Sequence, residues 1–247
     1  MNLFEIISLR RSGHHAFINW LFANLTEAPY EALSTTYAHD NELKLLYINQ
    51  AEFDFNNHQN YINNNLSRID NLFISTETAH AKFSILNQSN PVFTTWHNSD
   101  FKNQWGVTNY RRVLFIRDFY NCFASQIQVS LPHWENETQY TNHMYDRWKS
   151  HALASLNGDY TVLYDKWISD PEYTNQVNLD LLGEDNKFNP LDIKGTVSSF
   201  NLFEKVNLEK YLTRYKEVEF PMWFREKVIN DKELQSLLDK FNMNYLF

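Results

Sequence analysis

Short, continuous apolar runs alternate along the chain with stretches in which apolar residues recur at helical spacing. Continuous runs are typical of buried parallel strands, because both faces of such a strand are covered. They predict strands over residues 4–9, 71–76, 91–97, 112–117 and 160–164. The helical spacing of Phe17, Trp20, Leu21 and Leu25 predicts a first helix that ends near Leu25. It predicts further helices over residues 119–130, 139–156 and 171–182, and one or two more over 221–241.

This alternation predicts an α/β fold of three layers, in which a central parallel sheet is flanked by helices on both faces. Residues 26–66 are polar and rich in asparagine, and we expect irregular structure with short helices there. Residues 184–210 have the character of a loop. No internal repeat and no linker rich in Pro, Gly or Ser divides the sequence, so we expect residues 1–247 to form one domain.

Composition narrows the classes of partner. Hydrophobic residues make up 43% of the 247 positions, which is enough for a sizeable core. The net charge of −8 argues against a nucleic-acid partner, since such proteins usually carry a basic footprint. Cys122 is the single cysteine, which excludes an intrachain disulfide and a thiolate metal cluster and favours a cytoplasmic location. No secretory leader and no membrane span is expected, and the oligomeric state stays open.

The first strand leads through a tight loop, Arg10 to Gly13, into the first helix. A helix N-terminus presents backbone N–H groups, and with two arginines beside it this arrangement predicts a phosphate site. The loop is not a Walker A loop, because it lacks the second glycine and the lysine of that motif.

Other polar residues follow the predicted strands. His97, Arg117 and Tyr164 end the third, fourth and fifth of them. Ligands of open parallel sheets bind beyond the carboxyl ends of the strands. We therefore expect these side chains to face the same crevice as the first loop.

Four segments resemble, in order, motifs of the sulfotransferase family, over roughly residues 3–200. Arg11-Ser12-Gly13-His14-His15 resembles the phosphosulfate-binding loop, usually Lys/Arg-Ser-Gly-Thr-Thr. The segment 113–125 resembles the family's strand–Arg-Asp/Asn-Pro motif, which ends in a serine. The segment 161–171, followed by Leu-Leu-Gly at 181–183, resembles a Tyr-Glu-Asp strand end and its Pro-led helix. Ile193-Lys194-Gly195 is similar to the late Arg-Lys-Gly loop.

The resemblance implies a sulfotransferase that moves a sulfonate group from 3′-phosphoadenosine 5′-phosphosulfate to a hydroxyl or amine and releases the 3′,5′-bisphosphate. It implies that no metal is needed. Arg117 and Ser125, eight positions apart, correspond to the pair that binds the 3′-phosphate. The remaining donor-binding residues that it implies are Arg10, Arg11, Ser12, Gly13, His14, His15, Tyr164, Lys194 and Gly195.

The sequence departs from the family at several of these positions. His14-His15-Ala16 replaces Thr-Thr-Trp, whose tryptophan stacks on the adenine in the family. Tyr164 and Trp20 are the candidates to replace it. Phe119 stands in place of the proline after Arg-Asp, and the late loop lacks its arginine.

His97 is our candidate general base, since it ends a strand 20 positions before Arg117, as the family's catalytic histidine does. A histidine needs little adjustment of its pKa for this role at neutral pH. Rival bases in the loop are His14 and His15, and Arg11 is suited to stabilise charge on the leaving phosphate.

Two other functions stay open. One is a nucleotide-binding protein of this fold without turnover, and the other is a P-loop nucleotide kinase, which the missing Walker lysine disfavours. The acceptor, whether a small molecule or a carbohydrate, cannot be read from the residues.

Overall fold

The structure is a computed structural model of the whole chain. It describes residues 1–9, 12–27, 37–39, 45–49, 62–77, 103, 105–130, 137–158, 160–192, 208–243 and 247. The predicted strand at 91–97 lies outside these residues.

The described residues build one six-stranded sheet in the order β2-β3-β4-β1-β5-β6. All neighbouring strands run parallel except β2, which pairs antiparallel with β3. The strands are β1 (Asn2–Ser8), β2 (Tyr37–His39), β3 (Leu45–Asn49), β4 (Asn71–Glu77), β5 (Asn109–Ile116) and β6 (Thr161–Leu163). The predicted parallel α/β sheet is thereby confirmed.

Helices cover both faces of the sheet. They are α1 (His14–Thr26), α2 (Phe119–Ser130), α3 (Glu137–Leu156), α4 (Tyr164–Ser169), α5 (Pro171–Leu182), α6 (Leu208–Leu212), α7 (Met222–Asn230) and α8 (Lys232–Lys240). Short 3-10 turns occupy Leu66–Arg68, Pro190–Asp192 and Arg214–Glu217. Within the ranges described above, none of the helices has the length and apolar character needed to cross a bilayer.

Strand β1 shows why the fold has three layers. Its side chains alternate between the two faces of the sheet. Phe4 and Ile6 pack with α1, α4 and α5 in one core cluster. Ile7 packs with α2, α3, α7 and α8 in a second cluster. A strand that is buried on both faces has the continuous apolar run from which it was predicted.

Two expectations about local structure were wrong. Residues 37–39 and 45–49 form strands, although we predicted irregular structure with short helices for 26–66. The short run at 45–48 becomes a strand because β4 supplies its hydrogen-bonding partner. The fifth strand ends at Leu163, and Tyr164 begins α4. The predicted start of α5 is confirmed, since the Asp170 side chain accepts from the backbone N–H groups of Glu172 and Tyr173, each at 3.1 Å.

Candidate functional site at the carboxyl edge of the sheet

The turn after β1 places the N-terminus of α1 at the carboxyl edge of the sheet. The Ser12 N–H donates to the Leu9 carbonyl at 3.1 Å, and the Ala16 N–H donates to the Gly13 carbonyl at 3.0 Å. The backbone of Gly13 is left-handed, with φ 89°. The first turn of a helix leaves N–H groups that no carbonyl of the same helix can accept. This end of the edge can therefore hold an anion through backbone donors.

Besides its left-handed backbone, the lack of a side chain at Gly13 is needed at this turn. A Cβ at this position would lie 2.6 Å from Cε2 of Tyr164, well inside any real contact. The missing side chain lets the Tyr164 ring pack against the loop. The start of α1 and the start of α4, which follows β6 directly, are therefore in direct contact.

The two histidines of the loop differ in environment. His14 is buried and His15 is half-buried, and their ring centroids lie 4.1 Å apart. Burial lowers the pKa of His14 to about 3. A neutral imidazole of this kind takes up a proton poorly near pH 7 but can still donate or accept a hydrogen bond. His14 in this buried environment is thus poorly suited to act as a general base.

Arg117, at the end of β5, forms the second part of the edge. Its guanidinium carbon lies 4.9 Å from the centroid of the Tyr164 ring, a cation–π contact. Its carbonyl accepts a hydrogen bond from Trp148 Nε1 at 3.0 Å. Tyr164 therefore touches both Gly13 and Arg117, and this ring joins the two predicted anion sites.

The residue after Arg117 is held by the first turn of α4. The Asp118 N–H donates to Asp165 Oδ2 at 2.8 Å. Burial raises the pKa of the Asp165 carboxyl, and the Arg117 guanidinium and the Asp118 N–H oppose that rise. Asp118 in turn accepts from the Asn121 N–H at 2.8 Å and so caps α2. Arg117 and Asp118 are therefore part of the buried framework of the protein.

Ser125 lies about two turns along α2 from Arg117. Its hydroxyl accepts a hydrogen bond from Arg214 Nη1 at 2.9 Å. The exposed fractions of Arg117, Ser125 and Arg214 are 4%, 2% and 5%. Arg117 just before α2, Ser125 on α2 and Arg214 against Ser125 are thus all buried.

Sequence reasoning missed Arg214. It lies 89 positions from Ser125, in a 3-10 turn that carries no recognisable motif. An arginine before an aromatic residue is too common a pattern to single it out.

Several predicted site residues lie outside the described residues, namely Arg10, Arg11, His97, Lys194 and Gly195. Trp20, a candidate for stacking on adenine, has no exposed surface, and its Nε1 donates to the Phe188 carbonyl at 2.7 Å. It belongs to the core beside Phe17 and Trp167 and is not available for stacking.

In the part of the chain that the structure describes, no group of three or more His, Cys, Asp and Glu side chains could hold a metal ion. Cys122 is buried, and burial raises the pKa of its thiol to about 12. The thiol of Cys122 therefore stays protonated near pH 7.

With this geometry in view, two solved structures are similar over nearly the whole chain. One is a sulfotransferase domain from the curacin biosynthetic pathway, with a TM-score of 0.51, 14% identity and 99% of each chain covered. The other is a sulfotransferase domain from the Synechococcus PCC 7002 olefin synthase, with a TM-score of 0.52, 12% identity, and 100% of this chain and 96% of that chain covered. The chain has the sulfotransferase fold. No family model and no curated protein matches the sequence.

In this sulfotransferase fold the carboxyl edge of the sheet is formed by the ends of β1, β5 and β6. Gly13, Tyr164 and Arg117 follow these strands and form one chain of contacts. Glu77, the last residue of β4, reaches the same edge of the sheet.

Proposed function

We propose that the protein is a sulfotransferase that uses 3′-phosphoadenosine 5′-phosphosulfate and transfers its sulfonate group to a hydroxyl or amine of a small molecule or carbohydrate. One observation carries the proposal: the Tyr164 ring contacts both Gly13 and Arg117 at one edge of a sulfotransferase fold. A donor with phosphates at both its 5′ and 3′ positions needs two anion sites held at a constant separation.

The residues present fit such a donor. The loop from Arg10 to His15 provides a helix N-terminus for the 5′-phosphosulfate, and Arg117 with Ser125 provides a charged and a neutral donor for the 3′-phosphate. Lys194 and Gly195 would close over the same phosphate. When bound, the donor supplies an activated sulfonate. Arg11 is placed in sequence to stabilise charge on the leaving phosphate without a metal.

His97 is our proposal for the general base. Its support is its position 20 residues before Arg117, at the end of a predicted strand. His97→Ala should lower turnover by about 10²–10⁴-fold, while donor affinity stays nearly intact. The rate of the parent protein should rise with pH through one ionisation in the histidine range, because only the neutral imidazole accepts a proton.

His14→Ala and His15→Ala are the matched variants for this test. If His97→Ala keeps near-parental turnover and a loop variant abolishes it without loss of donor binding, the base lies in the loop. The low pKa of His14 makes His15 the stronger rival of the two.

Binding separates this function from that of a P-loop kinase. We expect calorimetry in EDTA to show binding of the 3′,5′-bisphosphate that is tighter than binding of AMP. ATP that binds only with magnesium, together with equal affinities for AMP and the bisphosphate, would contradict the proposal. Transfer of labelled sulfonate to a panel of phenols, alcohols, amines and sugars then tests turnover.

A second candidate is a nucleotide-binding protein of this fold without turnover. It is favoured by the buried, neutral His14 at a position where the family has a hydroxyl. Tight binding of the bisphosphate, with no transfer to any member of the acceptor panel, would support it.

A further inference from the structure

We propose that the Asp165 carboxylate is a counter-charge of Arg117 in the ligand-free protein and takes up a proton when a phosphate binds beside Arg117. Phosphate binding and protonation are then linked, so the affinity for a 3′-phosphorylated nucleotide rises as the pH falls. Asp165 acts through Arg117 and is a positioning residue that does not itself touch the donor. The inference rests on the proposed function, because it takes the Arg117 end of the site as the place of a phosphate.

Asp165 and Tyr164 hold two neighbouring residues at the end of β5. Asp165 lies in the first turn of α4, directly after Tyr164. Its Oδ2 accepts a hydrogen bond from the Asp118 N–H at 2.8 Å, while the Tyr164 ring lies 4.9 Å from the guanidinium carbon of Arg117. The carboxylate is thereby fixed next to the segment that carries Arg117.

The charge of the Asp165 carboxylate is poorly hydrated. Its Oδ1 has no contact with solvent and accepts no hydrogen bond from the described residues. Burial raises the pKa of this carboxyl, and the Arg117 guanidinium is the largest of the influences that oppose the rise, ahead of nearby backbone N–H groups. A carboxylate with so little hydration depends on a nearby positive charge to stay ionised. Arg117 supplies that charge.

A phosphate beside Arg117 changes this balance. It brings a second anion towards the cation that stabilises the Asp165 carboxylate. A like charge disfavours the ionised form of a carboxyl group, so the pKa of Asp165 rises further when the phosphate binds. The ligand-bound protein therefore holds more protons than the ligand-free protein. By linkage, the affinity for the phosphate increases as the pH falls through the titration range of Asp165.

Two other titratable groups lie beside Asp165. Asp118 caps α2 through its Oδ1. The Cys122 thiol stays neutral, because burial raises its pKa to about 12. The phenols of Tyr164 and Tyr173 are protonated near pH 7. The other titratable side chains described on α4 and on the elements that pack against it are exposed, where water screens their charges, namely Lys166, Glu172, Asp180, Asp192 and Glu209.

Calorimetry in EDTA with the 3′,5′-bisphosphate and with AMP as probes tests the proposal. Asp165→Asn keeps an oxygen that can accept the Asp118 N–H but removes the charge, so it resembles the protonated carboxyl. It should tighten bisphosphate binding at pH 7 by about 5-fold or more, the lower end of the usual coupling between two sites, and leave AMP binding within about 2-fold. Asp70→Asn is the matched control, because Asp70 is exposed and precedes β4 at the opposite edge of the sheet. It should change neither affinity.

The pH dependence is the second measurement. The bisphosphate itself titrates, so the parent protein and Asp165→Asn are compared with the same ligand at each pH from 8 to 5. Lowering the pH should favour binding to the parent more than binding to the variant, and the two affinities should converge at low pH. Calorimetry in two buffers of different ionisation enthalpy should show that the parent takes up more protons on binding than the variant does.

The possible outcomes separate this proposal from the proposed function. Equal binding of the bisphosphate and AMP by the parent protein would defeat the proposed function itself. A preference for the bisphosphate with the same proton uptake in the parent and in Asp165→Asn would overturn the role of Asp165 alone. So would a loss of bisphosphate affinity in Asp165→Asn, which is the mark of a merely structural carboxylate.

If Asp165→Asn does not fold, the parent protein decides. A phosphate held by an arginine favours its own ionised form, so an excess of protons taken up must come from the protein. Binding of the bisphosphate should therefore take up more protons than binding of AMP at pH 6–7. An equal or smaller uptake overturns the proposal.

Discussion

The two ends of the candidate donor site differ in the chemical groups that form them. At the α1 end, the described residues offer backbone N–H groups and a neutral, buried imidazole, held by close packing of Gly13 against Tyr164. At the α2 end, the guanidinium groups of Arg117 and Arg214 are buried, and hydrogen bonds hold the backbone of Arg117 and the side chain of Arg214. Backbone N–H donors have a fixed position and orientation, whereas guanidinium groups carry a full positive charge. The first end should therefore be sensitive to changes of shape and the second to changes of charge.

Gly13→Ala should have the largest effect, because it changes the shape of the α1 end of the site. The alanine would have to adopt a left-handed backbone, and its Cβ would lie 2.6 Å from Tyr164. We expect a loss of stability of about 2–5 kcal/mol, from a strained φ of about 1–2 and overpacking of about 1–3, together with a loss of donor binding. Urea unfolding and calorimetry measure the two effects.

Gly158→Ala is the control for this substitution. Gly158 also has a left-handed backbone, with φ 99°, but a Cβ there would meet nothing within 4 Å. It should cost only the strain of about 1–2 kcal/mol. Equal losses for the two variants would show that the contact between Gly13 and Tyr164 is unimportant.

Lowering the pH should have the second largest effect, because it destabilises a fold in which two neutral histidines are buried. Burial lowers the pKa of both His14 and His151 to about 3, while an unfolded histidine titrates near 6.5. Between these values the unfolded chain binds more protons, so stability is complete above pH 6.5 and falls as the pH decreases towards 3. Each histidine should contribute a loss of up to about 1.4 kcal/mol per pH unit.

Urea unfolding at pH 7, 6 and 5 measures this loss, and His151→Leu separates the two histidines. His151 lies on α3, away from the Gly13 turn, and its variant should remove about half of the slope. A slope that His151→Leu leaves unchanged would show that this histidine is not buried in its neutral form.

Arg117→Ala tests the charged end. It should weaken bisphosphate binding by about 10–100-fold and change turnover at saturating donor by much less, because a contact made in both ground and transition states contributes to binding. Arg68→Ala is the matched control. Arg68 is exposed and precedes β4 at the opposite edge of the sheet, so its loss should change neither quantity. Lost turnover with unchanged donor affinity would contradict the role of Arg117.

Substitution of Tyr164 should have the smallest effect. It tests whether the Tyr164 ring connects the α1 end of the site with the α2 end. Tyr164→Leu removes the ring beneath Arg117 and should weaken bisphosphate binding by roughly 0.5–2 kcal/mol. Tyr164→Phe keeps the ring and should fall nearer to the parent protein. A Leu variant that binds as tightly as the Phe variant would exclude the cation–π contact as the link.

Much of the framework could be predicted from local pattern. The bounds of α2 and α5 agree with the predicted helices, and β4 and β5 agree with their apolar runs to within a few residues. The eight-residue spacing of Arg117 and Ser125 also reads directly from the sequence, since a strand end and its following helix form one continuous segment. Periodicities of about 2 and 3.6 residues and the capping of helices are properties of neighbouring residues, so sequence alone determines them.

Only the tertiary structure decided the rest. Strands β2 and β3 exist because the chain brings them beside β4, and nothing in their polar surroundings predicts that pairing. The sequence left Trp20 as a candidate for stacking on a ligand, but in the folded protein its side chain is fully buried in the core. Arg214 reaches Ser125 across 89 positions through the Asn121 contacts, and Tyr164 reaches Gly13 because glycine leaves room for its ring. Contacts of this kind depend on how whole elements pack, and packing is set jointly by many side chains that are distant in sequence.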